Sequence, residues 1–112
     1  MSTTLGNKAE HAAAAYLQSI GHEIVSRNWR TRVCEIDIVT KKAHRLHFVE
    51  VKYRSSNNQG SGIDYITPKK LHQMEFAAQC YVEEEKWQGD YSLDAIEVGG
   101  DFIVTEYLES VS

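Results

Sequence analysis

The stretch HFVEVKYR, residues 47–54, reads as a buried strand that nevertheless carries charge. Phe48, Val49 and Val51 are strongly apolar, as a central strand requires. Successive strand side chains alternate, so Glu50 and Lys52 point to one face. Charges taken out of water are destabilising unless they are paired or bound to something. The two therefore either neutralise each other or line a site. An E-x-K on a strand is commonly a plain ion pair on a solvated face, so its neighbours have to decide.

Working outward, CEIDIVT (residues 34–40) and LHFVEVKY (46–53) form two strands joined by a tight turn near Lys42–Arg45. If the hairpin is symmetric about Ala43-His44, paired residue numbers sum to 87. Asp37 then faces Glu50, and Glu35 faces Lys52. Directly opposite residues have Cβ atoms about 4.5–5.5 Å apart. Two carboxylates at that separation repel, and a hard divalent cation, Mg²⁺ or Mn²⁺, removes the repulsion. Lys52 stands on the same face, where an ammonium holds an attacking water or a developing phosphorane charge. Metal, paired acids and lysine together suit phosphodiester hydrolysis.

The remaining chain supplies a frame for that hairpin. Residues 8–20 read as a helix with Ala9, Ala12, Ala13, Tyr16 and Ile20 on one face, Asn7 and Glu10 as a capping box, and Gly21 as the stop. Residues 22–29 suit a strand centred on Ile24 and Val25. RSSNNQGSGIDYI, 54–66, is polar and glycine-containing and reads as a mobile loop. Thr67-Pro68 opens a second helix that buries Leu71, Met74, Ala78 and Tyr81 and ends near Lys86. YSLDAIEV and FIVTEYL are two further strands around Gly99-Gly100. The order αβββαββ predicts one α/β domain over residues 1–112, a mixed sheet with helices packed on it.

Composition bounds the function. The chain has 112 residues, 42% hydrophobic and 25% charged, with a formal net charge of −4. That suits one modest core and argues against a general nucleic-acid binder, although a local basic face is compatible with it. No apolar run approaches the ~18 residues of a membrane span, and the N-terminal stretch lacks the features of a secretory signal. Cys34 and Cys80 are a poor disulfide framework, and the five histidines show no zinc-site spacing. A cytoplasmic protein is expected, with a homodimer as one way for a small nuclease to cut both strands.

These residues resemble the bacterial YraN-like family, whose members look like PD-(D/E)xK nucleases. The resemblance covers LGNKAEHAAAAYLQSIG, RNWR, EIDIV, FVEVKYR, TPKK and LDAI; EIDIV followed by FVEVKYR is its specific part. It implies a restriction-endonuclease-like αβββαβ core and a DNA-cleaving, metal-dependent activity, with branched or flapped DNA as candidate substrates. By the same resemblance Asp37 and Glu50 bind metal, Lys52 is catalytic, and Glu10 is the assisting acid of the first helix. The competing expectation, from a different class, is a non-catalytic nucleic-acid-binding or protein-interaction module on the same scaffold.

Other residues keep two readings. Glu10 is a capping acid or a metal ligand. Glu35 pairs with Lys52, holds a second metal, or faces solvent. Lys69 and Lys70 are solvated, or hold a phosphate at the start of their helix. Arg30, Arg32 and Arg54 flank the site and are candidates to position a DNA backbone. Trp29 and Tyr53 stack on bases or belong to the core. Asp94, an acid within an apolar strand, lies at a sheet edge or near the site.

Overall fold

The computed structural model describes residues 4–55 and 66–111. Its elements are α1 (Thr4–Ser19), β1 (Glu23–Arg30), β2 (Glu35–Lys42), β3 (Arg45–Arg54), α2 (Pro68–Glu85), β4 (Asp90–Gly99) and β5 (Val104–Leu108). They form one five-stranded mixed sheet in the order β1-β2-β3-β4-β5. The expected αβββαβ order is present, and the fold is compatible with a restriction-endonuclease-like core. Most of the loop expected at 54–66 lies outside the described residues.

The hairpin forms in the expected register near its turn, but the ladder ends before the expected Asp37–Glu50 and Glu35–Lys52 pairs. Lys42 pairs with Arg45, and the pairing runs on to Ile38 with Val49. Ala43 and His44 make the two-residue turn with φ of 53° and 65°. Both residues are left-handed, as a type I′ turn demands, and that turn matches the twist of the flanking strands. β3 then pairs in parallel with β4 over their full lengths, Arg45 with Asp90 through Arg54 with Gly99. A parallel pair needs a long crossover, and the segment carrying α2 supplies it.

Both helices are terminated by local chemistry. The Thr67 hydroxyl oxygen accepts from the Lys70 amide at 3.1 Å, with Pro68 in the first turn of α2. Gly21, at φ +97°, closes α1: its amide donates to the Gln18 carbonyl and the His22 amide to the Leu17 carbonyl. That is a Schellman arrangement. The start of α1 differs from the expectation. The helix begins at Thr4, so Asn7 lies inside it and no capping box forms there. Its buried stripe is rotated to Ala9, Glu10, Ala13, Ala14 and Leu17, with Ala12, Tyr16 and Ile20 at the flank.

The two helices cover opposite faces. α1 packs on Ile38, Val49, Ile96 and Val98. α2 packs through Met74, Ala77, Ala78 and Tyr81 on Val39, Leu46, Phe48 and Leu93. β1 is an edge strand, and Val25, expected at its centre, is exposed. Register shifts occur in β1 between Ile24 and Ser26 and in β4 between Glu97 and Val98, and in β2 strict alternation fails. Ile36 belongs to the α2-side cluster and Ile38 to the α1-side cluster, although residues two apart on a regular strand share a face. The residue between them is Asp37.

Candidate metal and nucleic-acid site

Asp37 sits where β2 departs from regular pairing. Its Oδ2 accepts the Val51 amide of β3 at 2.8 Å, so the carboxylate takes the place of a ladder acceptor one step beyond the last paired residues, Ile38 and Val49. Burial raises its pKa, and repulsion from Glu50 adds to it; Glu10 and Glu35 push the same way, while the Val51 hydrogen bond opposes. The result is an aspartate displaced from 3.8 to about 7. A cavity of about 10 Å³, room for roughly one water, lies between Asp37, Glu50, Phe48 and Met74.

Glu50 does not face Lys52 alone. Its Oε2 lies 2.9 Å from the Nζ of Lys70, at the start of α2. Thr67 fixes that first helical turn, which places an ammonium against Glu50 although the helix dipole disfavours a cation there. Lys52 is exposed on β3 and shares the face of Glu50 by alternation. Glu10 is buried on α1. Its Oε1 lacks a hydrogen-bond partner and lies 3.9 Å from Arg27 Nη2. Burial raises the pKa of Glu10, and a hydrogen bond with Asn28 and the charge of Arg27 counter it. Glu35 stands opposite Arg30 in the β1–β2 ladder.

The basic residues separate into two groups. Arg30, Arg32, Lys69 and Lys70 line one groove of about 940 Å³ that opens onto Glu50, between the Thr31–Cys34 turn and the first half of α2. Arg54 lies elsewhere on β3, its Nε 2.6 Å from Glu97 Oε2 on β4. The contact is a close ion pair without the alignment of a hydrogen bond. Both stacking candidates are half-buried against other rings: Trp29 meets Tyr81 edge-on with ring centres 5.2 Å apart, and Tyr53 is stacked on Phe102 at 5.3 Å.

Asp94 is neither at an edge nor beside Glu50. It is fully buried in β4 and accepts from His47 Nδ1 at 2.7 Å, Ser92 Oγ at 2.7 Å, Tyr107 OH at 2.5 Å and the Ser110 amide at 3.1 Å. Burial alone would raise its pKa, but the His47, Tyr107, Ser92 and Ser110 hydrogen bonds outweigh it and hold the carboxyl below its ordinary value. His22 extends this network: its Nδ1 is 2.6 Å from Thr40 Oγ1 and its ring lies 4.6 Å from that of His47. The acid inside LDAI is the visible signal; its partners, 47 residues away in the case of His47, are not.

The donor set around Asp37 is hard oxygen, suited to Mg²⁺ or Mn²⁺. A repelling carboxylate pair and an unsatisfied buried glutamate oxygen are both features that a cation would relieve. Among the described residues, however, no group of three or more His, Cys, Asp or Glu side chains is arranged to hold a metal ion. The protein supplies a pair there, and the remaining positions of such an ion would fall to water and substrate. No described helix is long and apolar enough to cross a membrane.

Comparison with known proteins converges on one family. The family described as "Uncharacterised protein family UPF0102" matches residues 9–98. A UPF0102 protein of Wolinella succinogenes is 37% identical over 112 residues, covering 100% of this chain and 99% of its own. One from Helicobacter pylori strain P12 is 39% identical over 108 residues, with coverage of 96% and 90%. One from Sulfurihydrogenibium is 37% identical over 102 residues, with coverage of 90% and 89%.

Proposed function

The chain belongs to the UPF0102 family, the YraN-like proteins, and from that premise we propose that it is a Mg²⁺- or Mn²⁺-dependent endonuclease of the PD-(D/E)xK type acting on DNA. One observation carries the reading. Asp37 on β2 and Glu50 on β3 are close enough to repel, and Asp37 is displaced to about 7. A half-buried carboxylate pair in which Asp37 titrates far from its ordinary value, beside a basic groove, is the arrangement expected of a functional site. A divalent ion bound there would polarise a phosphoryl oxygen and activate water.

The chain's own residues then have distinct tasks. Asp37 and Glu50 hold the cation, and Glu10 supports it from α1. The Val51 amide fixes the Asp37 carboxylate in place. Lys52 offers an ammonium to the attacking water or to the charge that grows on phosphorus. Lys70 neutralises Glu50 in the absence of metal. Arg30, Arg32 and Lys69 hold the DNA backbone along the groove. Arg54, engaged by Glu97, contributes as a structural ion pair.

Cleavage of labelled linear, flapped and branched DNA with Mg²⁺ or Mn²⁺ tests this reading. Wild-type protein should cut, and Asp37→Ala should not. Equal residual cleavage by both would end it. A second reading, a non-catalytic DNA-binding module that acts in the cytoplasm as a monomer or homodimer, is favoured by the finding that, among the described residues, no three His, Cys, Asp or Glu side chains are grouped to hold a metal ion. Calorimetry with Mn²⁺ separates the two: the enzyme binds the ion through Asp37, and the module is indifferent to it.

A further inference from the structure

The groove beside Glu50 is not only basic. Val33, at the tip of the Thr31–Cys34 turn, is 73% exposed, and Phe76 on α2 is 51% exposed; both line it. The turn is held by its own hydrogen bonds, Thr31 amide to Cys34 carbonyl at 2.8 Å and Val33 amide to Thr31 Oγ1 at 3.1 Å, so Val33 is presented by a defined backbone. The cations of the groove are Arg30, Arg32, Lys69 and Lys70, against the carboxylates of Glu35 and Glu50. Lys70 neutralises Glu50 at 2.9 Å and Arg30 stands opposite Glu35. Arg32 and Lys69 are then the excess charge, and both are exposed.

Cations alone accept the phosphates of any nucleic acid. The apolar members are more selective. In a duplex the base faces are stacked against each other, and an exposed phenyl ring gains nothing from them. In an unpaired strand each base has an open π-face, and stacking on an aromatic side chain stabilises the complex without regard to sequence. Trp29 and Tyr53 pack against Tyr81 and Phe102 and do not line the groove, whereas Phe76 lines it and is exposed.

We infer that this groove is a binding track for an unpaired DNA segment, with phosphates on Arg32 and Lys69 and a base on Phe76, leading to the Asp37–Glu50 pair. As a statement about substrate class it rests on the hydrolytic reading above; as a statement about binding it needs no metal.

Fluorescence polarisation in EDTA tests it, with a labelled mixed-sequence 12-mer as single strand and as blunt duplex. Wild-type protein should bind the single strand more tightly. Phe76→Ala should weaken single-strand binding by about fivefold to a hundredfold, the range for losing one stacked base, and leave duplex binding unchanged. Phe76→Trp should restore it. Arg32→Ala with Lys69→Ala should weaken both forms and flatten the salt dependence. Phe76 is exposed, so a melting curve matching wild type confirms that the variant is folded. Equal affinity for both forms with no effect of Phe76→Ala overturns the inference, as does the absence of binding to either. The same samples given Mn²⁺ separate the two claims. Single-strand binding without cleavage ends the hydrolytic reading and keeps the track. Cleavage that ignores Phe76 and strandedness ends the track and keeps the hydrolytic reading.

Discussion

Replacing Asp37 with asparagine should stabilise the metal-free protein, and by an amount that grows with pH. Asparagine keeps an oxygen for the Val51 amide but removes the charge that Glu50, Glu10 and Glu35 repel. The folded-state pKa of Asp37 is raised, from 3.8 to about 7. The neutral form is therefore the one that folding favours. Its full contribution is present below pH 3.8, declines as pH rises through the interval between the two values, and is lost above about 7. At about 1.4 kcal/mol per tenfold change in proton affinity, the whole effect is about 4 kcal/mol. Roughly 3 kcal/mol of it develops between about pH 4.5 and 8, which for a domain of this size is on the order of 10 °C in Tm. Urea unfolding of wild type and Asp37→Asn in EDTA across that range measures the gap, since titrating groups remote from Asp37 cancel between the two proteins. Saturating Mn²⁺ should then stabilise the wild type and close the gap. A gap that stays flat from pH 4.5 to 8, or a wild type more stable than the variant at pH 8 without metal, would refute the placement of Asp37 in a repelling acidic pair.

Three further outcomes are expected. Lys52→Ala should abolish cleavage while Mn²⁺ affinity by calorimetry stays at the wild-type value; because Lys52 is exposed, its melting temperature should move little, and unchanged cleavage would remove its catalytic role. Lys70→Met should tighten Mn²⁺ binding, because the ammonium 2.9 Å from Glu50 competes for the same carboxylate; unchanged or weaker binding in the same titration would contradict that competition. Tyr107→Phe, which leaves the buried Asp94 short of one donor, should lower unfolding free energy by about 1–3 kcal/mol and leave Mn²⁺ affinity untouched, since the Asp94 network lies on the α1 face and Glu50 faces α2.

What the chain reveals by itself is what short-range physics decides. Thr67-Pro68 and Gly21 set helix ends through bonds that reach only three to five residues. The Ala43-His44 turn sets the register of β2 and β3, because a two-residue loop leaves the flanking strands one way to pair. The same locality explains the errors. Asn7 and Glu10 fit a capping pattern, but the helix starts at Thr4, and the face that packs Ala9, Ala13 and Leu17 on the sheet turns Glu10 inward. The break in alternation at Asp37 has no counterpart in the spacing of EIDIV, because it follows from how β2 meets the two helices on opposite faces. Partners are the part that only the folded protein decides. Lys52 lies two residues from Glu50, but Lys70, twenty residues on, is the ammonium the fold brings to 2.9 Å. Asp94 is a lone acid in an apolar strand until β3, β5 and the segment after β5 bring His47, Tyr107 and Ser110 to it. A pattern in the chain carries the direction of a side chain; the contact it makes depends on elements far away in sequence, and these meet only when the sheet has closed and both helices are down.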